Sequence, residues 1–402
     1  MLKICVLGLG YVGLPVALGI SSKFKTLGFD TSHKRIKELN KRFDHNKEFK
    51  RSDFNKRKVK FSNKSQDLQD SNIYIICVPT PIKKNNLPDL SHIKNTISNI
   101  SKHIKVGDII ILESTVYPGV TDMFSKFLEI KSGLKNNKDF YMCYSPERIN
   151  PGDISKNLKN IKKVFAINSN NKKIISKIKK VYKLISKEII FTRKIREAET
   201  AKAIENTQRD LNIALFNEIL ILSQKMNLNF NEIIKLAASK WNFIKFKPGL
   251  VGGHCLPVDP YYLAYIASKN KFKTNTLLSG RSTNNYMKDY VISLILKCIK
   301  KNKLSNNAKI LILGISYKYG VSDLRNSLGL KIFNKISKKH KNTHFYDPFV
   351  NVKNKFRNLK NINKIKNFKL IIFLSSGKKY KHIFKQTIKN NLLVLDPFNY
   401  FS

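Results

Sequence analysis
The sequence predicts an α/β protein in three parts: a doubly wound parallel sheet, a helical middle, and a second, smaller α/β unit. Three observations predict it. Through the first 190 residues, short β-branched apolar runs alternate with helical stretches, the pattern of a parallel sheet with crossover helices. From about Arg196 a segment without Gly or Pro carries Ile204, Leu211, Leu215 and Leu222 at helical spacing. Near Lys303 the strand pattern returns. A chain of 402 residues is long enough for two or three domains, and the texture changes set their bounds at 1–193, 194–300 and 301–402.

Taken in order, "KICVLGLG", "TLGFD", "NIYIICVP", "DIIILEST" and "FYMCYSPE" read as buried strands, short and ending in polar, Gly or Pro residues. "REAETAKAIENTQRDLNIALFNEILILSQKMN" reads as one long helix and "NFNEIIKLAAS" as a further one; "VDPYYLAYIASKN" opens the next after a Gly/Pro-rich loop. "AKILILGISY", "THFYDP", "KLIIFLSS" and "LLVLDPF" supply the strands of the last unit. The Lys/Asn-rich stretches near 45–60, 155–180 and 350–368 are expected to be exposed loops or helix faces.

The formal charge of +49 raises the question of a polyanionic partner. The lysines are spread along the whole chain, and no C2H2, KH or aromatic RNA-binding signature accompanies them, so the charge reads as compositional drift and no specific nucleic-acid partner is expected. Five scattered Cys do not form a disulfide framework and fit a reducing compartment. Neither a run of eighteen apolar residues nor a leader sequence is present, so a cytoplasmic protein without membrane insertion is expected.

"ICVLGLGYVGLPVA" places Gly8, Gly10 and Gly13 in a GxGxxG pattern between a strand and a helix. Gly8 permits the tight turn, Gly10 lets the backbone approach a pyrophosphate, and Gly13 lets helix and strand pack closely. Asp30 ends the next strand, where a carboxylate accepts from ribose hydroxyls and repels a 2′-phosphate; NAD is therefore expected over NADP. The competing reading is an ordinary structural turn, with Asp30 as a helix cap.

In "LVGGHCLPVDPYYL" a cysteine sits in a Gly-Gly turn beside His254, with Asp259 four residues on. Cys255 there is either an accessible nucleophile, with Gly252 and Gly253 aiming N–H groups at an oxyanion, or a small hydrophobe in a loop. No second Cys or His lies at ligand spacing, so no metal is expected. Lys202 and Asn206 share one helix face, with Arg209 nearly aligned. Thr115 in "ESTVYPG" and Glu147 and Arg148 in "SPERINPG" end strands, where ligands bind in such sheets.

With these residues the sequence resembles the UDP-glucose/GDP-mannose dehydrogenase family over essentially its full length. The matching segments run in the family's order: "GLGYVGLP", "VPTPI…PDL", "ESTVYPG", "SPERINPG", "AKAIENTQRD", "PGLVGGHC" and "SYKYGVSDLRNS". The resemblance implies an N-terminal Rossmann NAD-binding domain, a central helical dimerisation region and a C-terminal Rossmann-like UDP-binding domain. It implies oxidation of the C6 hydroxyl of a nucleotide sugar to a carboxylate with two NAD and one water. Cys255 would carry a thiohemiacetal and then a thioester. Lys202 and Asn206 would stabilise the oxyanion, Asp259 would act with a water as base, Glu147 would assist hydrolysis, and Thr115 would place a water or the nicotinamide. Tyr11, Val12, Arg35, Pro79, Thr80 and Arg325 join the glycines and Asp30 as implied cofactor contacts. Arg148, Arg209, Phe246, Gly253 and Lys318 join Glu147, Lys202 and Asn206 as implied substrate contacts.

Val258 stands where UDP-glucose and GDP-mannose members carry Lys, and "GGHCLPVDPYYL" resembles the UDP-N-acetylhexosamine branch instead. The bacterial enzymes that make UDP-N-acetylgalactosaminuronate or its gluco epimer for Vi-type capsule and O-antigen look most similar. UDP-glucose and UDP-ManNAc are the alternative substrates. Tyr319 departs from the family, standing where many relatives have Pro. A two-electron hydroxyacid dehydrogenase would need neither the cysteine turn nor the third α/β unit. A basic nucleic-acid- or lipid-binding protein with an inactive Rossmann shell would not need Cys255, Lys202, Asn206, Asp259 and Asp30 together. The long apolar helix suggests a homodimer paired across a two-fold.

Overall fold
A computed structural model describes the chain except residues 47, 56, 149–159, 351–358, 360–364 and 402. The described chain divides into two compact units, Met1–Glu205 with Tyr261–Phe272, and Asn206–Pro260 with Lys273–Ser402.

The first unit is built on an eight-stranded sheet of β1 (Lys3–Leu7), β2 (Lys25–Phe29), β3 (Val59–Ser62), β4 (Ile73–Ile76), β5 (Asp108–Leu112), β6 (Phe140–Tyr144), β7 (Lys162–Ile167) and β8 (Glu188–Thr192). Their order is β3-β2-β1-β4-β5-β6-β7-β8, so the chain reverses direction across the sheet between β1 and β4. The helices here are α1 (Gly13–Ile20), α2 (His33–Asn40), α3 (Ser91–Ile100), α4 (Val120–Ser132), α5 (Lys172–Tyr182) and the start of α6 (Ile195–Lys225). Successive strand residues face opposite ways. Ile4, Val6, Ile73 and Ile75 meet Val16, Ile36 and Ile178 on one face, while Cys5, Leu7, Tyr74 and Ile76 meet Ile97 and Phe124 on the other. Because both faces are covered, the central strands β1, β4, β5 and β6 are apolar nearly throughout instead of alternating. Gly119 opens α4 without a side-chain cap of its own. The Glu199 carboxylate of α6 supplies one, accepting from the Gly119 and Thr121 N–H groups at 2.6 and 2.8 Å.

Two features differ from the sequence expectation. β7 pairs antiparallel to β6, whereas the other neighbouring pairs are parallel. The stretch 155–180 is not all loop and exposed helix face: β7 lies in it, with Phe165 and Ala166 fully buried and Lys163 only 1% exposed. β7 opens on Lys162 and Lys163 before its buried Phe165, Ala166 and Ile167, and α5 turns Ile174, Ile178, Val181 and Tyr182 inward with most of its lysines exposed. In a chain this basic the lysines mask the buried residues. β3 likewise begins inside 45–60; most of 350–368 lies outside the described residues.

The second unit holds most of α6, then α7 (Phe230–Ala237), α9 (Asn275–Lys301), α10 (Leu328–Lys339) and α11 (Lys378–Lys389); α8 (Asp259–Lys269) contributes residues to both units. Its strands, β9 (Ile310–Leu313), β10 (Thr343–Tyr346), β11 (Leu370–Phe373) and β12 (Val394–Leu395), form a parallel sheet in the order β10-β9-β11-β12. Phe216 and Leu220 of α6, Met287, Val291 and Ile295 of α9, Ile310 and Ile312 of β9 and Ile332 of α10 share one core. The later turns of the long helix are thus continuous in packing with the C-terminal sheet.

Candidate active site
In the first unit the turn after β1 is set by three steric facts. Gly8 has φ +90°, and a Cβ there would lie 2.8 Å from the Cys77 carbonyl oxygen. A Cβ on Gly13 would lie 1.8 Å from the Gly8 carbonyl oxygen. Around Gly10 nothing lies within 4 Å of such an atom, which leaves the open backbone that a pyrophosphate needs. Tyr11 and Val12 complete the turn, with Val12 as the residue before α1. The Asp30 carboxylate accepts from the Leu9 N–H at 2.8 Å and from the Ser32 N–H at 2.9 Å, and it is only half-buried, so lone pairs remain for a ribose. These residues fit a bound NAD. Arg35, 5% exposed, faces inward: its Nε donates to the Leu9 carbonyl and it pairs with Asp44 at 2.9 Å, while its buried Nη2 has no hydrogen-bond partner among the described residues.

The loops after β4 and β5 meet at the carboxyl edge of the same sheet. Thr80 Oγ1 donates to the Thr115 carbonyl at 2.7 Å, and the Tyr262 hydroxyl of α8 donates to the Thr80 carbonyl, beside exposed Pro79. After β6, Glu147 is buried and accepts from Lys163 Nζ at 3.1 Å. Lys163 Nζ also donates to Glu113 at 2.6 Å, and the Tyr182 hydroxyl donates to the other Glu113 oxygen at 2.6 Å. Burial pushes the Glu113 carboxyl up to about 6 against the pull of Lys163. Burial alone would lower Lys163, but the two carboxylates outweigh it and hold the ammonium above its ordinary value. Arg148 pairs with Glu205. The rest of "SPERINPG" lies outside the described residues.

In the second unit Cys255 is exposed, in contrast to buried Cys5 and Cys143 and half-buried Cys77 and Cys298. Its carbonyl accepts the N–H groups of Val258 and Asp259 at 3.0 and 2.9 Å, which seats the thiol at the head of α8. Asn206 Nδ2 donates to Asp259 Oδ2 at 2.5 Å, and both side chains are buried. The structure thus joins two residues that the sequence singled out separately. Lys202, one turn earlier on α6, is also buried, whereas Arg209 is exposed. The glycine pair before the cysteine has a packing cause. A Cβ on Gly252 would lie 2.8 Å from the Asn326 carbonyl oxygen, and one on Gly253, at φ +88°, would lie 2.8 Å from the Tyr317 ring.

His254 stands against Tyr317 and 3.8 Å from the Asp323 carboxylate; burial and the Arg325 charge hold its imidazole below the ordinary range. Arg325 forks onto Asp323, with bonds of 2.7 to 3.1 Å, and stays 60% exposed. Phe246 packs on Phe216 of α6 with ring centres 6.1 Å apart. Upstream of the cysteine, the Asn217 amide of α6 exchanges two hydrogen bonds with the Gly249 backbone, at 2.8 and 3.1 Å. A buried chain through Asn284 and Asp210 to Arg281 backs it.

A pocket of about 360 Å³ opens between the carboxyl ends of β9 and β11, where strand order reverses. Lys318, Ser316, Ser375, Ser376 and the first residues of α10 line it. Tyr319 also lines it, wedged between Phe349 and Tyr380; a Cβ on Gly377 would lie 2.3 Å from its ring, so this tyrosine requires the glycine opposite.

Among the residues above, sequence reasoning missed Glu113, Lys163, Tyr182, Asn217, Asn284 and Asp323. Glu113 carried a signal, as the residue just after a strand in "ESTVYPG", and Asp323 lay within "SYKYGVSDLRNS". Among the described residues no three His, Cys, Asp or Glu side chains gather as a metal site, and no helix is long and apolar enough to cross a membrane.

Three family models match the chain in order. They are the UDP-glucose/GDP-mannose dehydrogenase family NAD binding domain over 2–186, its central domain over 196–286 and its UDP binding domain over 311–402. A UDP-N-acetyl-D-glucosamine 6-dehydrogenase of Pseudomonas aeruginosa is 40% identical over 87% of this chain and 83% of its own. One of the same name from Salmonella typhi is 40% identical over 87% and 82%. The solved structure of UDP-D-ManNAc dehydrogenase from Pyrococcus horikoshii superposes with a TM-score of 0.86 at 32% identity, covering 97% of this chain and 93% of that one.

Proposed function
The chain belongs to the UDP-glucose/GDP-mannose dehydrogenase family, and from that premise we propose that it oxidises C6 of a UDP-N-acetylhexosamine to the carboxylate through a thioester on Cys255. It is an NAD-dependent oxidoreductase of the UDP-sugar 6-dehydrogenases. The observation that carries the proposal is Cys255 itself, exposed at the head of α8, four residues before a buried Asp259 bonded to Asn206.

NAD supplies the hydride acceptor for both oxidations. Asp30 and the open backbone at Gly10 hold it, with Gly8 and Gly13 shaping the turn and Thr115, Arg35 and Arg325 as further contacts. The Asn206–Asp259 pair takes the C6 hydroxyl proton through a water, and Lys202 and Asn206 bind the oxygen as it gains charge. The Cys255 thiolate adds to the aldehyde carbon. Loss of the second hydride leaves the thioester, and Glu147 takes the proton of the water that hydrolyses it. Lys318 with Ser375 and Ser376 binds the UDP moiety in the 360 Å³ pocket. Arg148, Arg209, Phe246 and Gly253 are assigned to the sugar side. The three-part division at 193 and 300 goes with this reading, as do cytoplasmic placement and a product destined for surface polysaccharide.

UDP-GlcNAc is the first substrate to test, because two relatives carry that name; UDP-GalNAc shares the acetamido group. UDP-ManNAc is the second reading, supported by the Pyrococcus fold match. The test is NADH released per UDP-sugar under excess NAD, beside Cys255→Ser. Two NADH per sugar, lost in the variant, supports the reading; no NADH from any of the three sugars overturns it.

The active assembly is proposed as a homodimer. Leu215 and Leu222 on α6 and Met226 just after its end are each more than half exposed, an apolar stripe that a second copy of this chain would cover. Light scattering should report a dimer, and Leu215→Glu with Leu222→Glu should yield monomer.

A further inference from the structure
Beneath Glu147 lies a set of ionisable groups that the proposed steps do not use. The loops after β5 and β6 bring Glu113 and Glu147 to one ammonium, Lys163 of β7, at 2.6 and 3.1 Å. The Glu113 and Lys163 side chains are 0% and 1% exposed. Tyr182, from the end of α5, donates to Glu113 and presents its ring to Lys163 Nζ at 5.3 Å. Cys77, after β4, faces the same cluster; burial and the two carboxylates push its thiol up and keep it neutral. The Arg148–Glu205 pair flanks Glu147 along the chain. With both carboxylates ionised the trio carries one net negative charge in a buried place. A structural ion pair needs only one acid; the second makes the ammonium shared.

We propose that Lys163 is a positioning residue for Glu147. Shared with Glu113 and backed by Tyr182, it aims the Glu147 carboxylate for the hydrolytic step and makes that step respond to the protonation of Glu113. The proposal rests on the thioester reading above. In that step a water oxygen bonds to C6 and one water proton passes to Glu147. The C6–S bond breaks with its electron pair on Cys255, which leaves as thiolate, and the product acid loses its remaining proton to solvent. While Glu113 is ionised, Lys163 divides its charge between two acceptors. When Glu113 takes a proton, the whole ammonium bears on Glu147, and hydrolysis slows. The Glu113 carboxyl, pushed up to about 6 by burial, places this change just below neutrality.

The experiment follows one turnover with UDP-GlcNAc, UDP-GalNAc and UDP-ManNAc in the wild type. Each reaction is read as NADH formed and as the mass of the adduct on Cys255, from pH 5 to 8. The variants are Glu113→Gln, Lys163→Met, Lys163→Arg and the double variant Glu113→Gln/Lys163→Met. The double variant keeps the net charge of the trio if Lys163→Met alone fails to fold. Expected are an adduct that forms at the wild-type rate and two NADH per chain in every folded variant. Decay of the adduct should slow tenfold or more in Lys163→Met, the double variant and Glu113→Gln. Lys163→Arg should recover most of it, and Glu113→Gln should lose the rise in decay rate around pH 6. Adduct formation and decay that fall in parallel, or a pH 6 rise that survives in Glu113→Gln, overturns the proposal alone. A wild type that forms no adduct from any of the three sugars overturns the thioester reading and this proposal with it.

Discussion
The turn after β1 and the turn after β9 are the same device put to two uses. Gly8 and Gly314 both end a first strand at positive φ, +90° and +84°. Gly13 of α1 and Gly329 of α10 both pack on the carbonyl of that first glycine, where a Cβ would lie 1.8 and 3.0 Å from the oxygen. An aspartate at the end of the neighbouring strand grips each turn: Asp30 accepts from the Leu9 N–H at 2.8 Å, and Asp347 from the Ile315 and Ser316 N–H groups at 3.1 and 2.9 Å. The loops differ. Residues 9–12 pass straight into a helix, whereas residues 315–327 carry Lys318, Asp323 and Arg325. The acids differ as well, since Asp347 is 2% exposed while Asp30 is half-buried. The grip on the turn is therefore structural in both units. On the proposed function, the exposure left over after that bond is made is what frees Asp30 for a ribose.

The largest effect should come from the glycine that cannot yield. Gly13→Ala drives a methyl into a backbone oxygen at 1.8 Å, at or above the upper end of the ~1–3 kcal/mol cost of overpacking. Gly329→Ala meets its oxygen at 3.0 Å, and the ~1 kcal/mol that alanine gains over glycine in a helix offsets much of that contact. Hydrogen exchange should show the first unit loosened in Gly13→Ala and the second nearly unchanged in Gly329→Ala. Equal losses would break the comparison.

The legible parts of this molecule were local. Gly8, Gly10, Gly13 and Asp30 announce themselves within one strand–turn–helix, and Cys255 stood out because a Gly-Gly turn is an unusual place for a small hydrophobe. Lys163 could not be read, because one lysine in a chain with 76 Lys and Arg carries no information until β7 is known to pair with β6. Nor could the Asn217–Gly249 clamp, whose partners lie 32 residues apart, or the Asn206–Asp259 pair, 53 apart. Long-range polar pairing leaves no periodicity behind. The antiparallel β6–β7 step was hidden for a related reason, since the lysines around β7 disguised a buried strand as a loop.

The two acids sharpen the comparison at a smaller scale. Asp347→Asn puts an amide N–H₂ among the N–H groups of Ile315, Ser316 and Phe349. Leaving a buried donor unsatisfied costs about 1–3 kcal/mol, so urea unfolding of the second unit should shift by that amount. Asp30→Asn keeps an acceptor for Leu9 and should move stability by less than about 1 kcal/mol. Its effect falls on the cofactor instead: NAD binding should weaken roughly tenfold or more as a charged acceptor for the ribose is lost. Discrimination against NADP should relax at the same time. An Asp30→Asn protein that unfolds like Asp347→Asn but binds NAD normally would make Asp30 a cap and nothing more.

The last and smallest effect is in pH. Burial raises the Asp347 carboxyl above its ordinary value, and the backbone N–H groups of Ser316, Phe349 and Ile315 pull it only part of the way back. The folded state therefore holds this proton more tightly than the unfolded state. Its contribution is fully present below the unfolded pKa and is lost as pH rises through the folded one. The stability advantage of wild type over Asp347→Asn should accordingly be greatest at acid pH and shrink as pH rises across that window. An advantage that grows with pH would mean that the three N–H bonds outweigh burial, and that Asp347 acts in the fold as a bound anion.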